Sequence, residues 1–158
     1  MIKVLSPKEV DLDYLKRMET LLLENQFITY PDYEYKDEYF MMWVNNIRNN
    51  STYKMIILED DNKIKGFLNY CVEEGENWIS EIQVNDKYKN TGITIQLLKK
   101  YCELNEDIKE VVAHINPKNE LSKNVFVNHV GFKSIDGYKN RYKISMDDLK
   151  SYIKNKEK

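Results

Sequence analysis

The chain has 158 residues and a formal net charge of −2, with a pI near 5.8; one domain with a real core is the simplest reading at this size, and no basic footprint for nucleic acid is present. Its 42% hydrophobic and 32% charged residues fit a soluble globular protein. No apolar run approaches the roughly 20 residues that span a bilayer, and the opening MIKVLSPKEVD lacks an apolar signal core, so a cytoplasmic protein with no membrane partner is expected. Cys71 and Cys102 are the two cysteines; they make no disulfide framework and read as small core filling. His114 and His129 are too far apart to show metal-ligand spacing, so no metal is expected.

In chain order, Ile2 to Leu5 reads as a short strand. Asp11 or Asp13 then caps a helix whose apolar positions are Leu15, Met18, Leu22 and Leu21. The chain is expected to loosen at Gln26 to Lys36, around Pro31. A second helix carries Phe40, Trp43, Val44 and Ile47 on one face. Tyr53 to Leu58 and Ile64 to Val72 are apolar strands joined by the turn at Asp60–Lys63, and a second turn, Glu73 to Asn77, leads into a strand through Ile79, Ile82 and Val84. The uneven spacing of those three residues is what a β-bulge produces. Asn85 to Thr91 is a polar loop, and Ile93, Leu97, Leu98, Tyr101 and Leu104 recur at helical spacing, with Asn90 or Thr91 as the expected N-cap. Ile108 to Ile115 reads as a buried strand ended by Asn116-Pro117. Asn119 to Val130 reads as a helix with Leu121, Val125, Phe126 and Val130 inward, stopped by Gly131-Phe132. Two short strands around Asp136-Gly137 follow, and Met146 to Lys156 is a polar terminal helix or tail.

The stretch from Ile79 to Leu104 carries the chemistry. A strand that feeds a helix through a polar, glycine-containing loop presents unpartnered backbone N–H groups and the positive end of a helix dipole, which together receive phosphate. Lys89 adds a charge, and Gly92 lets a ligand approach the backbone. An ordinary strand–turn–helix connection that binds nothing shares these features.

Val84-x-x-x-Tyr88-Lys89-Asn90-Thr91-Gly92-Ile93-Thr94, followed by Leu97-Leu98, resembles the acetyl-CoA-binding motif of the GNAT superfamily of N-acetyltransferases. That motif is a strand ending in Val, then Arg/Gln-x-x-Gly-x-Gly/Ala at the head of a helix. Lys89 stands where Arg or Gln is usual and Thr94 where a second Gly or Ala is usual. Lys keeps the charge but loses the bidentate fork. The segment from Asn116 and Asn119 to Gly131-Phe132 is similar to the second GNAT signature, one residue longer than its usual form. Anchored on Gly131-Phe132, it puts Val127 at the position of the usual Tyr acid, with Phe126 beside it.

The resemblance implies a single-domain α/β (α+β) fold: a central mixed, mostly antiparallel twisted sheet of six to seven strands flanked by about four helices. It implies an acetyl-CoA-dependent N-acetyltransferase acting on a small-molecule or protein amine, as a monomer or homodimer. It implies that Lys89, Asn90, Thr91, Gly92, Ile93 and Thr94 hold the pyrophosphate, that backbone N–H groups near Ile82, Gln83 and Val84 polarise the thioester carbonyl, and that Asn119 contributes to cofactor binding. Glu81, three residues before Val84, is the candidate base acting through water; a solvent-facing strand Glu is the plainer reading. Tyr138 and Tyr142 are the candidates for a substitute acid. In the connection from Phe27 to Tyr39, Tyr30, Tyr33 and Glu34 are the candidate acceptor-binding residues, since acids among aromatics suit a cationic amine. A non-catalytic acyl-CoA-binding sensor on the same fold is the alternative, motivated by Val127 and Thr94.

Overall fold

The computed structural model describes residues 1–116 and 118–157; the expected strand stop at Pro117 lies outside them. In chain order the elements are β1 (Ile2–Leu5), α1 (Leu12–Thr29), α2 (Glu38–Asn49), β2 (Lys54–Asp60), β3 (Lys63–Glu73), β4 (Glu76–Val84), α3 (Ile93–Leu104), β5 (Glu110–His114), α4 (Glu120–Lys123), β6 (Lys133–Ser134), β7 (Arg141–Ser145) and α5 (Met146–Lys156). Seven strands form one sheet in the order β1-β2-β3-β4-β5-β7-β6. Every neighbouring pair is antiparallel except β4 and β5. No helix among the described residues is long and apolar enough to cross a membrane.

Local chemistry explains most of the boundaries. Asp11 caps α1, its carboxylate accepting from the Tyr14 N–H at 2.9 Å. The hairpin turns Asp61-Asn62 and Glu74-Gly75 take positive φ at both central residues, the twist that joins adjacent antiparallel strands. α1 runs through Thr29 instead of loosening at Gln26. Its last turns are held down by Asn25, whose side chain donates to β4. Tertiary contact here outweighs the low helix propensity of Phe27, Ile28 and Thr29.

The sheet separates two cores. α1 and α2 bury Leu15, Met18, Leu21, Val44 and Ile47 against Met55, Ile57, Phe67 and Cys71 on one face. α3 and α5 bury Leu97, Leu98, Tyr101, Leu149 and Ile153 against Ile56, Leu68, Val111 and Ile144 on the other. α5 is therefore part of the core and not a tail. Met146, Leu149 and Ile153 are buried at helical spacing, and Ser145 caps the helix by accepting from the Asp148 N–H. Both cysteines are buried, and burial pushes each thiol up to about 11, far from reactive thiolate.

The expected helix from Asn119 to Val130 is α4 followed by a π-helical stretch, Asn124–Val130. The Gly131 N–H reaches back five residues to the Phe126 carbonyl at 3.0 Å. A π-helix absorbs an extra residue without breaking the helix, which accounts for the long spacing between Asn119 and Gly131. Gly131 ends the stretch at φ +104°, where glycine carries no steric penalty. Leu121 is not inward: it is 57% exposed.

Candidate active site

The site begins where β4 and β5 part. Their parallel pairing comprises Trp78↔Val112 and Ile79↔Ala113. Beyond that, the two strands diverge, and a cavity of about 260 Å³ opens between them. Ser80, Glu81, Ile82 and Gln83 line one arm, and His114, Ile115 and Asn116 line the other. A second cavity of about 160 Å³ continues past Ile82, Gln83 and Val84 toward Lys89 and Thr94. Gln26, Asn119, Ser122 and Phe126 belong to both walls, so the two cavities form one cleft.

A β-bulge shapes the acceptor end. Asn69 pairs with Glu81 while Tyr70 pairs with Ile79, so Ser80 is the extra residue. The bulge expected in this strand is present, but it falls two residues before the Ile82–Val84 segment. The Ser80 hydroxyl lies 3.0 Å from the Tyr53 hydroxyl and 3.2 Å from the Asn69 carbonyl, and its one proton serves either acceptor. The bulge sets Glu81 and Gln83 on the α1/α2 side of the sheet, opposite Asn69 and Phe67.

Glu81 is partly buried. Burial pushes its carboxyl up to about 7; a hydrogen bond from the Gln83 amide pulls the other way without cancelling it. Gln83 Oε1 accepts from Asn25 Nδ2 at 2.7 Å, and the same Asn25 nitrogen donates to the Val84 carbonyl at 3.0 Å. Such a carboxyl is half-ionised near neutral pH, where a base can both take and release a proton.

At the other end, α3 starts at Gly92, which is the N-cap in the left-handed region at φ +85°. Asn90 and Thr91, the expected caps, lie in the loop before it. Asn90 is also left-handed, at φ +64°, and Thr91 donates its hydroxyl to the Tyr88 carbonyl. An added Cβ at Gly92 would meet nothing within 4 Å, so the space beside this backbone is open. The first-turn N–H groups of α3 lie beyond the reach of its own carbonyl ladder. Lys89 pairs with Asp86 at 2.9 Å and lines the smaller cavity with Thr94. This backbone, with a cation at its edge, fits a pyrophosphate.

The structure thus gathers Glu81, Ile82, Gln83, Val84, Lys89, Thr94 and Asn119 around one cleft. Asn119 also caps α4, accepting from the Ser122 N–H. Asn90 and Gly92 stand in the loop outside both walls, and Thr91 and Ile93 face a different depression beside Tyr88 and Gln96. Tyr30, Tyr33 and Glu34 line neither cavity: the Tyr30 hydroxyl is buried without a partner among the described residues, Tyr33 packs edge-on against Phe27, and Glu34 is exposed. Tyr138 lies against the Arg141 guanidinium, and Tyr142 packs on the α3/α5 side. Val127 reaches neither wall, whereas the Phe126 ring, without a hydroxyl, lines both. Asn25, Gln26, Thr29, Ser122 and His114 belong to the cleft although the sequence does not mark them. Asn25 and Gln26 read as polar surface positions of a helix, and only the closing of α1 over β4 brings them to the site.

A family model described as Acetyltransferase (GNAT) family matches residues 15–132. No curated protein matches the sequence. Among solved structures, the chain is similar to the PaiA N-acetyltransferase of Thermoplasma acidophilum in complex with coenzyme A, at 16% identity and a TM-score of 0.65, over 92% of this chain and 98% of that one. It is similar to a GNAT-family acetyltransferase of Staphylococcus aureus Mu50 at 17% identity and a TM-score of 0.68, over 92% and 99%. It is also similar to an aminoglycoside acetyltransferase from an uncultured soil metagenomic sample, in complex with sisomicin, at 15% identity and a TM-score of 0.59, over 81% and 85%. With the family model spanning most of the sequence and the fold shared along nearly the whole chain, this protein belongs to the GNAT family of acetyl-CoA-dependent acetyltransferases.

Proposed function

We propose that this enzyme transfers the acetyl group of acetyl-CoA directly to a primary amine in a ternary complex, with Glu81 as the base. The observation that carries this reading is the Glu81 carboxyl, raised to about 7 by burial in the wall where β4 leaves β5. A lysine-like amine has a pKa of about 10.4 and arrives protonated. Glu81, through water, accepts that proton. The free amine then attacks the thioester carbonyl, the C–N bond forms, the nitrogen releases its second proton to water, the C–S bond breaks, and the sulfur leaves as thiolate. Acetyl-CoA supplies an activated acyl group; Lys89, the α3 start and Thr94 hold its phosphates. Among the described residues β4 pairs with β5 only as far as Ile79, and the β4 N–H groups beyond that point receive the developing oxyanion.

A thiol of pKa about 8.5 leaves without an acid, so the hydroxyl-free ring of Phe126 is compatible with turnover. Phe126→Tyr is expected to raise kcat by no more than about tenfold, below the roughly 10²- to 10⁴-fold that a required general acid supplies, and the gain should grow as the pH falls below the thiol's own pKa. A hundredfold gain would show that leaving-group protonation limits the native enzyme.

The acceptor is an amine that fits beside Glu81 and His114, and aminoglycosides, a class bound by one structural neighbour, are among those to try. The test is acetylation of a panel comprising a polyamine, an aminoglycoside, an amino acid and a lysine peptide, read by product mass and thiol release. An N-acetyl product with intersecting initial-rate plots is expected. Acetyl-CoA hydrolysis alone, or a covalent acetyl-enzyme, would overturn direct transfer.

A further inference from the structure

We infer that Asn25 and Gln83 form a one-way hydrogen-bond relay that keeps a donor aimed at the Glu81 carboxylate, which makes Asn25 a positioning residue for the base. The inference rests on Glu81 being the base. Its direction is fixed by a group that has no choice. The Val84 carbonyl can only accept, so the Asn25 group 3.0 Å from it is the NH2. The second proton of that nitrogen goes to Gln83 at 2.7 Å, so Gln83 turns its oxygen toward Asn25. Its own NH2 then faces Glu81 Oε1. A carboxylate accepts that bond strongly; a carboxyl carrying its proton on the same oxygen accepts it only weakly. Without Asn25, the Gln83 amide is free to flip and offer its oxygen, which favours the protonated acid.

Two further observations support a functional role for the relay. It joins residues 58 and 59 positions apart, tying α1 to β4 at the site itself. The Asn25 Oδ1 atom is buried with no partner among the described residues, which costs stability and is poorly explained if the residue serves only the fold. No competing charge dominates Glu81. Tyr53, from the approach to β2, is its electrostatic neighbour. His114 of β5 lines the same cavity, and Lys89 lies at the far end of the cleft. The residues of α1 and α4 in the cleft wall, Asn25, Gln26, Thr29, Leu121 and Ser122, are uncharged.

The experiment is the pH profile of kcat/KM at saturating acetyl-CoA for wild type, Asn25→Leu, Gln83→Met and the double variant, with Glu81→Gln as reference. Asn25→Leu and Gln83→Met are each expected to move the acid limb upward by about half a unit or more, since the charge-assisted bond to the carboxylate is lost. The double variant should move it no further than Gln83→Met alone, because Asn25 acts through Gln83. Asn25→Ser, too short to span both acceptors, is a second variant should the leucine fail to fold, and should shift the limb the same way. An unmoved limb in a folded Asn25 variant, or additive shifts in the double, would overturn the relay. A Glu81→Gln enzyme with the native limb would instead overturn the base itself.

Discussion

Glu81→Gln is expected to lower kcat/KM toward a lysine-like amine by about 10²- to 10³-fold near neutral pH, within the range that a positioned base contributes. The size follows from the proton to be removed. At neutral pH only about one part in 10³ of such an amine is unprotonated, and the variant must wait for that fraction. Its activity should therefore climb with pH toward the pKa of the amine, while wild type rises through about 7. The same substitution should stabilise the protein. Glu81 has a folded pKa above its usual 4.5, so the folded state binds more protons than the unfolded chain between those values and wild-type stability falls as pH rises through them. Below about 4.5 the variant and wild type should melt together. Above about 7 the variant should be more stable by about 3 kcal/mol. Melting curves across this window check the sign; a variant less stable at alkaline pH would show that Glu81 serves the fold.

Gly66→Ala is expected to damage fold and cofactor site together. Gly66 pairs with Val84, and an added Cβ would stand 2.9 Å from the Gln83 carbonyl and 2.9 Å from Cγ2 of Ile93. One neighbour is backbone of the cleft wall and the other is the first residue of α3, so relief requires lifting the helix start off the sheet. Overpacking of this kind costs about 1–3 kcal/mol, or roughly 2–4 °C of Tm per kcal/mol at this size. Acetyl-CoA affinity should fall with it, because the first turn of α3 moves. Gly92→Ala is the comparison: its Cβ meets open space, so its cost is limited to left-handed backbone strain, about 1 kcal/mol. Thermal melts and calorimetric titration separate the two. Equal costs at both glycines would show that close contact at Gly66 is not what restricts it.

The strand–loop–helix unit was legible because each part leaves a local mark. Apolar spacing located β4 and α3, and the broken alternation among Ile79, Ile82 and Val84 announced a bulge. Which residue bulges was not legible, since the answer depends on the register against Asn69 and Tyr70. Glu81 could be named from its distance to Val84; its environment could not, because the orientation of the neighbouring Gln83 amide is set by Asn25 of α1, which meets β4 only in the folded chain. Asn25 is an ordinary polar residue on a helix surface until the sheet supplies the Val84 carbonyl. The extra residue after Asn119 was visible in the spacing, but only the π-helical stretch shows that it turns Phe126, and not Val127, into the cleft. Of the two readings of the terminal segment, helix holds, and the 3–4 spacing of Met146, Leu149 and Ile153 marks its buried stripe despite the surrounding lysines and aspartates.

The decisive measurement is the pH dependence of kcat/KM for acetyl transfer to two amines of well-separated pKa, from mildly acidic to mildly alkaline solution. If the Glu81 carboxylate removes the proton, the acid limb lies near 7 for both amines. An acid limb that follows the pKa of each amine would mean that the acceptor enters already deprotonated and that Glu81 is not the base.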